Sequence, residues 1–326
     1  MENTTQVNHY KLDDTPKPIT GYYATGSDPA QPARLCLGTN AFAPAVGAAT
    51  TPPAVPAFHF PAPGTIINTN TAEAFRDLDK KAVLDKIGQG VWDDIVSGRA
   101  VKQPWLLARF LVLTFADLKK YKYKYWFAFP ALVPANPFNV SKTSPIGDSF
   151  TAEQQTALCT QYELFRGLAG NQGDLANAAA VAVRVNNKAG LPQVLPLSDF
   201  IKGDYVLFAD ASALPSHPGW FLRNLLVLLK VHFKLDHASV SVVFFLFPFI
   251  CGYCFSLPLL LQVIAYREQR GKNNISQSIV LDVDLASASD LLPTSPPPKV
   301  LGWEKNEQDK AAPRFMDLAA MMDPKR

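Results

Sequence analysis

The chain has 326 residues, 48% of them hydrophobic and 18% charged, with a formal net charge of +3. That apolar fraction can fill one large core or two ordinary ones and excludes general disorder. The small positive surplus does not single out nucleic acid as a partner. Its four cysteines, at 36, 159, 251 and 254, form no disulfide framework, and Met1–Asp14 is polar where a secretory signal would be apolar. A reducing, cytoplasmic setting is expected.

In chain order, Tyr22–Tyr23 and Arg34–Leu37 read as short strands flanking a turn at Gly26–Pro29. Ala43–Pro63 is dominated by Ala, Pro and Thr, which resist helix nucleation, and is expected as a surface loop. Asn70 followed by Glu73 signals a helix start. Phe75, Leu78 and Ala82 then recur at helical spacing, Gly88 and Gly90 interrupt, Val91–Ser97 resumes, and Gly98 stops the helix. Phe110–Leu118 is strand-like, and Asp117–Lys120 connects it to an alternating run at Lys120–Phe127. As a strand that run places Tyr121, Tyr123 and Tyr125 on one face and Lys120, Lys122 and Lys124 on the other. A stacking platform for nucleic acid wants both residue types on one face, so the run reads as a half-buried strand and nucleic acid is not expected.

Thr151 and Gln154 form a second capping box, opening a helix with Leu158, Tyr162 and Phe165 on one face and Gly167 and Gly170 at its end. A strand (Ala180–Val185), a short helix (Leu195–Ile201), a strand (Tyr205–Ala209), a turn (Pro215–Gly219) and a helix (Trp220 to Val231) follow. A further strand begins at Ala238, Ser278–Leu285 is the last clear one, and Pro293–Pro298 is a linker. This alternation predicts an α/β class, mixed α+β, with two sub-domains at 1–140 and 141–326, each a mixed sheet with flanking helices.

Ala238–Tyr266 carries no charge, and Val243–Gln262 has the length and composition of a membrane span. Pro248 and Pro258, and the lack of a nearby basic flank, weaken that reading. Phe, Leu, Pro and Ser are encoded largely by pyrimidine-rich codons. Phe255–Leu261 followed by Gln262 is what a polypyrimidine tract ending in CAG yields in frame. Excising 243–262 joins Ser239–Val242 to Val263–Tyr266 as one alternating strand. Residues 243–262 are therefore expected to be a retained intron, with a membrane anchor as the alternative and a buried strand or core helix, for which the run is long, as a third reading.

No Gly-rich nucleotide loop and no His-Glu-x-x-His occurs. Cys251-Gly-Tyr-Cys254 stands inside the apolar run without a His or acidic neighbour and reads as chance. The histidines at 9, 59, 217, 232 and 237 are scattered, and Asp13-Asp14 and Asp93-Asp94 read as solvated charge. No catalytic, cofactor-binding or metal residue is expected.

Several blocks together resemble one family: Ile66–Thr71 with Phe75, Phe110–Tyr121, Tyr125–Ala131, Pro218–Asn224, Gly302–Asn306 and Met322–Arg326. In order and spacing they resemble the amino-terminal domain of the autophagy ubiquitin-like modifier-activating enzymes, the autophagy-related protein seven family. The resemblance implies an enzyme that adenylates two ubiquitin-like modifiers with ATP, carries them as cysteine thioesters and passes them to two conjugating enzymes. In that family the amino-terminal domain recruits the conjugating enzymes. The carboxy-terminal domain holds the ATP site, the catalytic cysteine, the modifier-binding tail and the dimer interface.

This chain starts late and stops where the family runs on, so it is expected to act as the recruiting module, without ATP or activity of its own. The family's activating activity is the alternative. Modifiers would be met only through the missing half. The implied setting is autophagosome formation and cytoplasm-to-vacuole transport, in the cytoplasm and at the preautophagosomal structure. Partner-binding candidates are Tyr121, Tyr123, Tyr125 and Trp126.

Overall fold

The computed structural model describes residues 14–26, 28, 33–42, 55–117, 119–170, 178–186, 190–233, 237–239, 256–258, 260–269, 274–289, 291–304, 310 and 312–317. In chain order it runs β1 (Lys17–Ala24), β2 (Leu35–Leu37), β3 (His59–Thr69), α1 (Ala72–Asp77), α2 (Lys80–Val96), β4 (Phe110–Asp117), β5 (Lys122–Val133) and β6 (Asn139–Pro145). Next come α3 (Ala152–Gly170), β7 (Ala180–Arg184), β8 (Gln193–Pro196), β9 (Tyr205–Ala209) and α4 (Phe221–Phe233). The last elements are β10 (His237–Ser239), β11 (Ser256–Pro258), β12 (Leu260–Tyr266), β13 (Ile279–Asp284), β14 (Lys299–Trp303) and β15 (Arg314–Asp317).

Two mixed sheets and their helices make up the fold, the mixed α+β class expected from the alternation of patterns. The first has the order β14-β5-β4-β3-β1-β2, with β15 also paired to β5. The second has the order β6-β13-β12-β9-β7-β8, and β10 and β11 form a separate ribbon. Among the described residues each large sheet has one parallel pair, and such a pair needs a long crossover connection, most often a helix. β3 and β4 are parallel and joined through α1 and α2; β9 and β12 are parallel and joined through α4.

Helix α4 ties the two sheets together. Leu222, Leu225, Leu226, Val227, Leu228 and Leu229 are all buried, so the helix is apolar nearly all round, as an enclosed helix must be. It packs on α2 and β5. Its buried Asn224 donates to the carbonyls of Leu107 (3.0 Å) and Pro130 (2.9 Å) and accepts from the Leu132 N–H (3.0 Å). A buried amide thus finds three backbone partners, which is what makes its burial tolerable.

Locally encoded features match the sequence reading closely. The 151–154 capping box forms reciprocally: the Thr151 N–H donates to Gln154 Oε1 (3.0 Å) and the Gln154 N–H to Thr151 Oγ1 (3.2 Å). β4 and β5 are the expected antiparallel pair.

Other expectations are corrected. The first helix is capped by Thr71, whose hydroxyl accepts from the Ala74 N–H, rather than by Asn70. Gly88 and Gly90 do not interrupt α2. A Cβ on Gly88 would lie 2.3 Å from Val300 Cγ2, so this glycine is where β14 presses against the helix. Leu195–Ile201 is not a helix: β8 ends at Pro196 and a single 3-10 turn, Leu197–Asp199, follows.

Pro61 and Pro63 belong to β3 rather than to a loop. They pair only with β1, because β4 joins at Gly64, so their missing N–H groups break no second ladder. Residues 43–54 of that expected loop lie outside the described residues. Strands also follow residue 285: β14 and β15 leave the second half of the sequence and pair with β5. Lys299–Trp303 and Arg314–Asp317, late in the sequence, thus belong to the first sheet.

Of the suspected insert 243–262, residues 243–255, with Cys251 and Cys254, and residue 259 lie outside the described residues. Residues 260–262 begin β12 opposite Asp282–Asp284. Excision would require Val240–Val242 to fill those places.

Candidate functional site

One cleft of about 850 Å³ opens where α2, β5, β14 and the start of α4 converge. Phe129 and Ala131 of β5 form its floor, Lys81 and Leu84 of α2 one wall, and Lys299–Trp303 of β14 another. The Pro218–Trp220 turn and Arg223 close it.

The aromatic framework is fixed ring by ring. Trp220 stacks on Phe129 with centroids 3.9 Å apart and planes 9° apart. Phe129 in turn meets Phe127 edge-on at 4.7 Å. Trp303 stands edge-on to Trp126 at 5.7 Å, and Lys80 Nζ lies 5.4 Å from the centroid of the Trp126 ring. A register shift between Leu301 and Trp303 bulges β14 at the cleft.

The charge is one-sided. The cleft is lined by Lys81, Arg223 and Lys299 and by no carboxylate. Lys81 pairs with Asp85 on its own helix. Arg223 and Lys299 are exposed. The apolar floor with a cationic rim suits an amphipathic ligand carrying negative charge.

Behind the Pro218–Trp220 turn lies a buried ion pair. Arg267 Nη2 sits 2.9 Å from Asp210 Oδ2, with side chains 1% and 0% exposed. Asp210 Oδ1 also accepts from the N–H groups of Ser212 (3.0 Å) and Gly219 (2.8 Å). Burial pushes the Asp210 carboxyl up, while Arg267 and these N–H groups pull it down.

The four aromatic candidates do not gather at the cleft. Trp126 reaches it through Trp303. Tyr123 and Tyr125 lie further along β5, their rings 6.1 Å apart, where β15 pairs beside them. Burial raises the Tyr123 hydroxyl above its ordinary range. Tyr121 is in the turn before β5, at φ 50°, and is 47% exposed, so it does not share the strand face of the other two.

Of the residues that line the cleft, those legible in the sequence fall in three blocks, Tyr125–Ala131, Pro218–Asn224 and Gly302–Asn306, with nothing local to bring them together. Among the described residues no group of three or more His, Cys, Asp or Glu could hold a metal ion. Nor is any helix among them long and apolar enough to cross a membrane.

The sequence matches the family described as the N-terminus of ubiquitin-like modifier-activating enzyme ATG7 over residues 3–247 and 249–322. It is 35% identical to ATG7 of Homo sapiens over 328 residues and 35% identical to ATG7 of Gallus gallus over 326. Each alignment covers 98% of this chain and 42% of the relative, so the chain spans about two fifths of their length. In fold it is similar to the crystal structure of Kluyveromyces marxianus Atg7NTD, with a TM-score of 0.58 at 19% identity, covering 98% of this chain and 92% of that one. A second crystal structure, of the K. marxianus Atg7NTD–Atg10 complex, matches with a TM-score of 0.57 at 19% identity, covering 97% of this chain and 91% of that one. The chain therefore belongs to the ubiquitin-like modifier-activating enzyme ATG7 N-terminus family.

Proposed function

We propose that this chain recruits conjugating enzymes of the autophagy ubiquitin-like pathway, and that the cleft between α2, β14 and the Pro218–Trp220 turn receives a segment of them. The observation that carries the reading is the convergence of two family-bearing blocks, Pro218–Asn224 and Gly302–Trp303, on one aromatic, cation-rimmed cleft. The K. marxianus relative complexed with Atg10 supports a conjugating enzyme as the partner class. A stacked Trp over a Phe beside an exposed Arg is the composition that dominates binding energy in protein interfaces. The occupant is a helix or extended stretch with apolar anchors and acidic flanks. A second conjugating enzyme uses the same module, and the module works in the cytoplasm at the preautophagosomal structure. The chain contributes recruitment and no adenylation step, so ATP–pyrophosphate exchange is expected to be absent.

Titration calorimetry with an Atg10-type conjugating enzyme tests the cleft. Trp220→Ala, and the double variant Arg223→Glu with Lys299→Glu, should each weaken binding at least about tenfold with the fold intact. Tyr123→Ala should leave affinity within about twofold, since Tyr123 lies outside the cleft. Unchanged affinity in both cleft variants would remove the cleft from the reading.

A further inference from the structure

We propose that the buried Asp210–Arg267 pair is the positioning device of the cleft, holding the Pro218–Trp220 turn so that Trp220 lies on Phe129, and that it sets partner affinity without touching the partner. The proposal rests on the cleft being the docking site.

The pair arises from topology. β9 and β12 are parallel neighbours whose last residues, Ala209 and Tyr266, stand opposite each other. The next residues, Asp210 and Arg267, therefore emerge side by side at the carboxyl ends of the strands. Between them the chain makes the loop 210–220, helix α4 and the return to β12.

Both side chains are committed to that loop. Asp210 Oδ1 receives the N–H groups of Ser212 and Gly219, at 3.0 and 2.8 Å, and so clasps the loop at its two ends. Arg267 Nε donates to Asp210 Oδ2 at 3.0 Å. Its Nη1 donates to the Leu214 carbonyl at 2.8 Å and its Nη2 to the His217 carbonyl at 3.3 Å. Ser212 Oγ donates to the same His217 carbonyl at 2.6 Å.

A planar guanidinium can satisfy a carboxylate and two carbonyls at fixed angles, which an ammonium cannot. The fit at Gly219 is tight: a Cβ there would lie 2.7 Å from Asp210 Oδ1. Trp220 follows directly, stacked on Phe129 and edge-on to Tyr23 at 5.6 Å. The first sheet joins the same knot, because the Gly26 N–H donates to the Asp210 carbonyl at 2.8 Å.

A buried ion pair serves stability poorly, since apolar or neutral replacements of both partners often leave stability unchanged. Its geometry here is spent on the loop carbonyls of Leu214 and His217, each of which an apolar pair would leave with one donor fewer. That points to placement of the turn.

The test uses the full 326-residue chain labelled with 5-fluorotryptophan, its Trp220 fluorine resonance assigned by Trp220→Phe. In the double variant Asp210→Asn with Arg267→Met, the introduced amide oxygen can still accept from Ser212 and Gly219, while the Arg267 bonds are lost. That variant is expected to shift or broaden the Trp220 resonance, to leave those of Trp92 and Trp105 in place, and to weaken Atg10-type binding at least about fivefold. If the double variant does not fold, Gly219→Ala is read in the same way.

A folded variant with a wild-type Trp220 resonance would overturn the proposal. So would a moved resonance with unchanged affinity where Trp220→Ala weakens binding. If Trp220→Ala itself leaves binding unchanged, the reading of the cleft fails, and with it the claim on affinity, while the resonance still decides whether the pair positions the turn.

Discussion

Glu268 is 4% exposed, just past the end of β12. The Tyr266 hydroxyl donates to its Oε2 at 3.2 Å and the Cys159 thiol to its Oε1 at 3.8 Å. Burial, and then the charge of Glu163, push the Glu268 carboxyl above its ordinary value, although Tyr266, Arg166 and Cys159 oppose them. The folded state therefore holds this proton more tightly than the unfolded chain does. The associated stability is full at acid pH, below the unfolded value, and is lost as pH rises through the folded value. Glu268→Gln removes that loss. Its melting temperature should exceed the wild type's at about pH 8, and the two should converge by about pH 4; parallel melting curves across that range would refute the sign. None of this was readable from the sequence. A carboxylate beside Arg267 looks like surface charge until the strand ladder shows that both residues lie at the buried end of β12. By contrast, the Thr151–Gln154 box was readable in full, because both partners sit within one helical turn.

At the scale of elements, α2 and β14 illustrate a local rule overridden by packing. Two glycines within a helical pattern lower helix propensity by about 1 kcal/mol each relative to Ala, which by local rules alone breaks the helix at Gly88 and Gly90. The helix continues from Lys80 to Val96, because Asp79 caps it and Leu84, Val91, Trp92 and Ile95 bury its inner face. Gly88→Ala should gain that propensity but force the added methyl against both Val300 γ-methyls, with Cγ1 at 2.7 Å. Overpacking of this kind costs about 1–3 kcal/mol, so the substitution should lower stability on balance. Adding Val300→Ala should recover part of the loss, and a urea-unfolding double-mutant cycle measures the coupling. If Gly88→Ala alone is stabilising, β14 does not press on α2 as described. The β4–β5 hairpin is the opposite case: period-2 alternation and a short polar connection were enough to place it, although Tyr121 went to the turn and not to the strand face.

At the scale of the whole molecule, the return of β14 and β15 to β5 closes the first sheet and supplies one wall of the cleft. A chain ending at Pro298 would leave β5 unpaired along that edge, and exposed edge strands invite association. Size-exclusion chromatography with light scattering should find that truncated chain largely self-associated and without measurable affinity for an Atg10-type enzyme. A monomer that binds as well as the full chain would show that the β14 wall is dispensable.

Composition, periodicity and capping signals in the sequence by themselves determined the mixed α+β class, most strands and helices, and the absence of a recognisable nucleotide or zinc motif, since each depends on residues a few positions apart. The family was legible in the same way, through contiguous blocks such as Phe110–Tyr121. Only the tertiary structure decided which of those blocks share one cleft. Pro218–Trp220 and Lys299–Trp303 lie far apart in the chain, and they meet because α4 is buried between the sheets and β14 crosses back to β5. Local sequence sets which face of an element is apolar. The strand order that brings two such faces together is selected by the burial of the whole core, and no window of sequence contains it.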